Sequence, residues 1–263
     1  MSVEEMVAAL SASSLGEVSW VDAGVPRVRG VVPLVRGGRP ALAFTYADES
    51  VARAVAAAPL VTVSITEPRS TGGAFRPLLM TGPPSLVEDP DGEVYGADLL
   101  VQELHRYPPS RIFADSPLLQ REHWWYLPRL IVDIEVAAMW PLAARTSGEH
   151  HLLVVAEDGT PVVHVARVLQ AGPERIEVVA EGDIPAGPAV LFGQDASFPD
   201  LERWSQWRYR GHWDGAALRV EESPAHTGLG PAPGLMQRWR HQRELQRRCV
   251  TAIPGPGPGG RRR

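Results

Sequence analysis

The sequence predicts a mainly β protein with flanking helices, whose strands form a small, partly open β-barrel. Glycine and proline each occur 25 times and are spread along the chain, which is typical of many short strands joined by turns. The predicted order is a helix, several antiparallel strands, one inserted helix and further strands. It lacks the regular strand–helix alternation of a doubly wound sheet, so that architecture is disfavoured. A hydrophobic content of 44% excludes wholesale disorder.

The first predicted element is an amphipathic helix over Ser2–Ser13, with apolar residues at helical spacing. The pattern then becomes β-rich, with turn signals rich in glycine and proline between the runs. An alanine-rich helix follows over Asp48–Ala58 and ends there, because Pro59 disfavours helical geometry at the residue before it. The strands predicted around this helix are Glu17–Val21, Arg27–Val35, Ala41–Tyr46, Val61–Thr66 and Phe75–Leu86.

A second group of elements completes the first half of the chain. Asp91–Arg106 is predicted as a helix closed by two prolines, and Ser116–Glu122 begins another helix. Trp124–Trp140 is predicted as a long extended segment, because its even positions are nearly all apolar and mark the core face of a strand. Pro128 interrupts this run, which favours an edge position or a bulge.

The element order then begins again, which predicts a degenerate internal repeat. Pro161 corresponds to Pro26 after a similar turn, and Val190 and Gly211 repeat the offset between Val61 and Gly82. The inserted helix is replaced by the short segment Glu181–Gly187. The alternative is that such similarities between two parts of a sequence occur in any all-β chain without a repeat. We therefore expect a split-barrel domain over residues 1–146, a second degenerate barrel over 147–228, and a basic helix with a flexible tail over 229–263.

Charge and composition exclude several classes of function. The net charge is −5, so the whole chain offers no electrostatic footprint for nucleic acid, and binding to nucleic acid is not expected. A single cysteine, Cys249, excludes an internal disulfide and a cysteine-cluster metal site. No lysine is present, so a phosphate that is bound by a side-chain cation must be held by arginine. The chain has no signal pattern and no apolar run long enough for a membrane helix, which predicts a cytoplasmic protein that does not associate with membranes.

The most specific pattern lies between Gly16 and Glu88. Gly24-x-Pro26-x-x-Arg29 opens a strand, Phe44-Thr45-Tyr46 ends one and leads into a helix with Ser50 and Arg53, and Arg76 stands six residues before Gly82. This layout resembles the pyridoxamine 5'-phosphate oxidase-like superfamily of flavin-binding split β-barrels. The resemblance implies that these positions hold the flavin phosphate and ribityl chain. The implied cofactor contacts are Arg29, Thr45, Tyr46, Ser50, Arg53 and Arg76.

The chain departs from the superfamily's pattern at several positions. The helix lysine of the superfamily falls near Val51, and Ala58 replaces the usual asparagine before Pro59. Leu79 stands where a second strand arginine is common. Relatives with weakened FMN contacts bind a deazaflavin or haem, or bind nothing. The resemblance therefore implies FMN or a deazaflavin as the cofactor, with haem as the alternative.

Physical chemistry favours a phosphate site of this type independently of the resemblance. A strand end that leads into a helix N-terminus offers free backbone N–H groups and the positive end of the helix dipole. The hydroxyl of Ser50 and the guanidinium groups of Arg53 and Arg76 can add hydrogen bonds to a phosphate. The alternative is that Arg53 lies on a solvated helix face and Arg76 on an exposed strand face.

Other residues with chemical potential give weaker signals. The eight histidines have no paired metal-ligand spacing, although His123 precedes an aromatic cluster that could stack on a macrocycle. In the second repeat, Gln206, Arg208, Arg210 and His212 share one strand face, which either receives an anionic ligand or faces solvent. No catalytic side chains and no metal site are predicted.

The sequence leaves three functions open. The first is an oxidoreductase whose flavin-type cofactor carries the redox chemistry, acting on a small-molecule substrate. The second is a haem-binding or haem-handling protein, and the third is a non-catalytic dimerising module with a decayed site. The resemblance implies a homodimer, or a pseudo-dimer of the two repeats within one chain. The second repeat is not expected to bind its own cofactor, because Glu181–Gly187 replaces the helix that would bind phosphate.

Overall fold

The computed structural model describes residues 2–70, 75–110 and 124–254, and the predicted mainly β fold with flanking helices is confirmed. The helices are α1 (Val3–Ala12), α2 (Glu49–Ala57), α3 (Leu100–Arg106, preceded by a π-helical turn over Tyr95–Leu99) and α4 (Leu235–Ala252). The strands of the first half are β1 (Gly16–Asp22), β2 (Val25–Val31), β3 (Leu34–Arg36), β4 (Arg39–Thr45), β5 (Val61–Ile65), β6 (Leu78–Gly82), β7 (Pro84–Asp89), β8 (Arg129–Ile134) and β9 (Ala138–Pro141). Those of the second half are β10 (His150–Glu157), β11 (Thr160–Ala171), β12 (Arg175–Ala180), β13 (Gly187–Ala196), β14 (Trp204–Trp213) and β15 (Ala217–Glu222).

The first half forms two antiparallel sheets around one core, which we call the first barrel. One sheet has the order β2-β1-β5-β6-β9 and the other β3-β4-β8-β7. The core between them is closed by α1 and α2, which contribute Met6, Leu10, Ala52 and Val55. A capping box between Ser2 and Glu5 begins α1, and α2 ends before Pro59 as predicted.

Three predicted strands are wrong as single elements, because each breaks at a corner where the chain passes from one sheet to the other. The segment Phe75–Leu86 divides into β6 and β7, and Trp124–Trp140 divides into a 3₁₀ turn, β8 and β9. At the corner the backbone N–H of Glu135 donates to the carbonyl of Pro83. A Cβ on Gly82 would overlap the carbonyl oxygen of Glu135, so the crossing requires glycine there. Predicted strand Arg27–Val35 divides similarly into β2 and β3, and predicted helix Ser116–Glu122 lies outside the described residues.

The second half forms a closed barrel of six strands, which we call the second barrel, in the order β10-β11-β12-β15-β14-β13. Its β10–β11 hairpin repeats the β1–β2 hairpin: Ala156 pairs with Pro161 as Val21 pairs with Pro26. A Cβ on Gly211 would overlap the carbonyl oxygen of Arg219, the counterpart of the Gly82 crossing. Gly82 pairs with Val61 but Gly211 pairs with Ala189, so the predicted correspondence between Val61 and Val190 is off by one residue.

The two barrels pack against each other through apolar and polar contacts. Val28 and Leu79 of the first barrel pack against an apolar cluster of the second barrel that includes Leu152, Val190 and Phe192. Leu79, which replaces an arginine of the superfamily pattern, is therefore part of the interface between the barrels. α4 contacts the Tyr46–Asp48 turn of the first barrel through its C-terminal part, where Cys249 is buried. In the part of the chain that the structure describes, no helix is long and apolar enough to cross a membrane.

Candidate functional site

A cleft of about 530 Å³ lies between the two barrels, and we call it the arginine cleft. β1, β2 and the first turns of α2 form one wall, and β14 of the second barrel forms the other. The residues that line it are Trp20, Asp22, Arg27, Val28, Arg29, Ser50, Val51, Ala54, Trp204, Gln206, Arg208 and Arg210. Its volume lies in the range of small-molecule sites.

A side-chain bridge fixes the two walls to each other. The backbone N–H of Gly30 donates to Oε1 of Gln206 over 3.0 Å, and Nε2 of Gln206 donates back to the carbonyl of Gly30 over 3.4 Å. A Cβ at Gly30 would overlap the side chains of Gln194, Trp204 and Gln206, so the close approach of β14 to β2 requires glycine. The alternation of a β-strand then places Arg208 and Arg210 on the same face as Gln206.

Four arginines line the cleft, and three of them have a carboxylate nearby. Nη2 of Arg29 lies 2.8 Å from Oδ2 of Asp48. Nη1 of Arg210 lies 2.6 Å from Oε2 of Glu222, and Nε of Arg27 lies 3.8 Å from Oδ2 of Asp22. These pairs are part-exposed, so they reduce the local positive charge without removing it.

Arg208 differs from the other three. It is half-buried and has no hydrogen bond or ion pair within residues 2–70, 75–110 and 124–254. Burial, followed by the positive charges of Arg210, Arg29 and Arg27, lowers the pKa of Arg208, and the negative charge of Glu222 opposes this shift only in part. A partly desolvated cation surrounded by like charges is unfavourable on its own and is stabilised by an anion.

Two further donors of the cleft residues are buried and unpartnered within the described chain: Nε1 of Trp20 and Nε of Arg210. Buried donors without acceptors are uncommon in folded proteins. Both atoms are enclosed by protein, whereas Arg208 lines the cleft together with the side chains of Trp20 and Trp204. Chemically, such a site suits a ligand that combines an anionic group with a flat ring.

The structure brings together only two of the six predicted cofactor contacts, Arg29 and Ser50, which both line the cleft. Arg53 projects elsewhere: it donates to Glu49 over 2.8 Å and to Glu88 over 2.9 Å, and these carboxylates raise its pKa. Arg76 precedes β6 instead of lying on it, is 69% exposed, and lies 3.4 Å from Glu5.

Thr45 and Tyr46 also lie outside the cleft. Tyr46 is buried in the core of the first barrel, and burial raises its pKa to about 12. Thr45 lies beside Cys249 of α4, and Arg248 of α4 donates to the carbonyl of Ala47. The C-terminal helix therefore covers the turn where the sequence predicts contacts with the ribityl chain.

The sequence predicts that Gln206, Arg208, Arg210 and His212 share one strand face, which either receives an anionic ligand or faces solvent. The structure turns the first three of these toward the first barrel, and His212 does not line the cleft. Trp20, Arg27 and Trp204 were not predicted as site residues. The alternation along β14 could have indicated which residues share a face. It could not indicate what the face packs against.

The described histidines form no metal site: no group of three or more His, Cys, Asp or Glu side chains there could hold a metal ion. His151 lines a second cavity, of about 410 Å³, at the second barrel. Both of its nitrogens are engaged, Nε2 with the indole N–H of Trp207 over 3.1 Å and Nδ1 with the carbonyl of Glu149 over 3.1 Å. Burial lowers the pKa of His151. His123 lies outside the described residues.

Comparison with solved structures finds matches of low identity that cover about half of this chain. It is 22% identical to an F420 reductase, with a TM-score of 0.36, over 51% of this chain and 94% of that one. It is 18% identical to a candidate pyridoxamine 5'-phosphate oxidase from Listeria innocua, with a TM-score of 0.35, over 54% and 98% of the two chains. It is 16% identical to the haem storage protein HutZ from Vibrio cholerae, with a TM-score of 0.36, over 54% of this chain and 95% of that one.

One of these matches, the Listeria innocua protein, carries the name of the family that the sequence motifs resemble. No protein-family model matches the chain, and no curated protein matches it.

Proposed function

We propose that the chain binds a phosphate-bearing flavin-type cofactor, FMN or a deazaflavin, in the arginine cleft and functions as an oxidoreductase. When bound, the cofactor supplies the redox chemistry, and the protein supplies binding, orientation and charge. The observation that carries the proposal is the combination of unpaired Arg208 with the neighbouring arginines and two indole rings in one cleft of about 530 Å³.

The residues present fit such a group. The guanidinium groups can donate paired hydrogen bonds to phosphate oxygens, and Ser50 adds a hydroxyl. Trp20 and Trp204 offer flat surfaces for a ring, and Val28, Val51 and Ala54 exclude water from its edge.

The lining of the cleft favours a flavin-type group over haem. Haem requires an axial ligand, most often His, Cys, Met or Tyr, and none of the described residues that line the cleft is of these types. A flavin-type cofactor needs no such ligand and is held by hydrogen bonds and stacking alone.

In this proposal the site belongs to one chain, because β2 and β14 of the same chain form its walls. The second barrel would thus occupy the place of a partner subunit, in an intrachain pseudo-dimer. In the second barrel, the segment Glu181–Gly187 leads from β12 to β13 and takes the place that α2 has in the first barrel. Because this segment has no helix, we expect one cofactor per chain.

Absorption spectroscopy of the protein, as purified and after incubation with FMN, a deazaflavin or haem, tests the proposal. We expect a flavin or deazaflavin band that remains with the protein through gel filtration. A Soret band alone would support haem binding instead, and no retained chromophore would support the non-catalytic module.

A further inference from the structure

The helical wall of the arginine cleft carries no cation. α2 contributes Ser50, Val51 and Ala54 to the lining. Arg53, the arginine of α2, is held outside the cleft between Glu49 and Glu88. The helix begins with Asp48 and Glu49, whose negative charges oppose an anion near its N-terminus. The first barrel therefore offers an anion Arg27 and Arg29, both beside carboxylates.

The opposite wall carries Arg208, a cation that forms no ion pair or hydrogen bond among the described residues, although the charge of Glu222 lies near it. Arg208 lies on β14, two residues from Gln206, whose amide is bonded to the backbone of Gly30. On the other face of the strand, Trp207 is buried and its indole N–H is bonded to His151. The strand cannot rotate without breaking both sets of contacts, so the side chain of Arg208 is directed at the cleft.

We infer that Arg208 of the second barrel is the principal anion anchor of the cleft, and that it holds the phosphate of the cofactor from the wall opposite α2. This inference rests on the proposed function for the identity of the ligand, but its physical basis is the charge distribution of the cleft. Arg29 and Arg210 are directly paired with Asp48 and Glu222, whereas the guanidinium group of Arg208 has no direct partner among the described residues and can bind an anion without breaking an ion pair.

In this inference the second barrel supplies the anion anchor, although it has the segment Glu181–Gly187 in place of a helix. The inference also predicts an effect on the ligand-free protein. Removing Arg208 relieves repulsion from Arg27, Arg29 and Arg210, so Arg208→Ala should unfold at the same or a higher denaturant concentration. A residue with only a structural role would give the opposite result.

The test is a fluorescence titration of wild type and variants with FMN and with riboflavin, which lacks the phosphate. Arg208→Ala should weaken FMN binding roughly ten- to a hundredfold, as expected for a lost charge-assisted hydrogen bond, and change riboflavin binding less than about threefold. The double variant Arg208→Ala/Val51→Lys returns a cation from the opposite wall and should recover part of the FMN affinity. The matched control is Arg219→Ala, because Arg219 is an exposed arginine of β15 paired with Asp214.

Equal FMN affinity in wild type and Arg208→Ala would overturn the inference, and so would equal losses for FMN and riboflavin. If wild type binds neither flavin, FMN is ruled out as the cofactor, the deazaflavin is left to the absorption experiment above, and pyrophosphate is then used as the probe. A pyrophosphate-dependent rise in the melting temperature of wild type that is absent in Arg208→Ala would support the anion anchor without the flavin. No rise in either protein would overturn it.

Discussion

Nη2 of Arg145 lies 2.9 Å from Oε1 of Glu17 at the boundary of the two barrels, and both side chains are almost fully buried. The pair is surrounded by further bonds. Ser64, Thr66 and Gln194 donate to the carboxylate over 2.7–2.9 Å, and Nε of Arg145 donates to Thr66 over 2.7 Å. Because β13 supplies Gln194, the pair and its neighbours connect the second barrel to β1 and β5 of the first.

Removing one member of this pair should strongly destabilise the protein. Arg145→Met leaves the carboxylate of Glu17 buried without its cation, which costs about 3–5 kcal/mol in comparable buried pairs. Urea unfolding followed by tryptophan fluorescence measures the change. Glu244→Gln, which breaks the exposed pair of Glu244 with Arg247, is the control and should cost less than about 0.5 kcal/mol. A loss of under 1 kcal/mol for Arg145→Met would show that the pair is solvated.

Gly30→Ala should disturb both stability and the arginine cleft. The added methyl group meets Gln194, Trp204 and Gln206, so β14 must move away from β2 at a cost of about 1–3 kcal/mol. We expect weaker FMN binding in the same variant, since the walls of the cleft separate. Gly230→Ala is the control, because nothing lies near its added methyl group. Wild-type stability and affinity in Gly30→Ala would contradict the described packing.

Arg53 and Arg76 should contribute little to cofactor binding. Both are exposed and paired with carboxylates outside the cleft, so Arg53→Ala and Arg76→Ala should leave the FMN affinity within about twofold of wild type. Arg29→Ala should weaken binding about tenfold, because Arg29 lines the cleft. Isothermal titration calorimetry distinguishes the variants. A tenfold loss in Arg53→Ala would place the phosphate at α2 instead.

Acidification should destabilise the protein through His151. Burial lowers the pKa of this imidazole in the folded state, whereas the unfolded chain has the ordinary value of about 6.5. Below that value the unfolded state binds the additional proton, so this contribution to stability is complete above pH 6.5 and declines as the pH falls. Urea unfolding at pH 7.5 and 5.5 should show a smaller difference in His151→Gln than in wild type. An equal difference in both proteins would assign the pH dependence to other groups.

The sequence predicted the elements whose signals are local. The turn residues between β1 and β2, the proline after α2 and the alternation of β14 correspond to what the structure shows. The breaks at Gly82 and Glu135 depend on one strand crossing another, and a local pattern does not contain that information. The same limit applies to Arg53, whose place on a helix predicted a contact with the cofactor. In the structure it pairs with Glu88, and a residue so distant in sequence could not be foreseen from the local pattern.

The site itself was less predictable than the fold. Arg29 and Ser50 followed from the resemblance, but the residues that complete the cleft come from β14. This strand is distant in sequence: Gln206 lies 176 positions after Gly30, to which it is hydrogen-bonded. Whether the face with Arg208 meets solvent or the first barrel is decided by how Val28 and Leu79 pack against the second barrel. The pair of Glu17 and Arg145 could not be predicted from the sequence, because two distant charged residues that form a buried pair have the same local pattern as two charged residues at the surface.

A crystal structure of the protein with FMN tests the central claim most directly. We predict one cofactor per chain, with its phosphate within hydrogen-bonding distance of Arg208 and its ring near Trp20 or Trp204 of the same chain. A cofactor bound between two chains without contact to Arg208, or seated at the second cavity beside His151, would contradict this account.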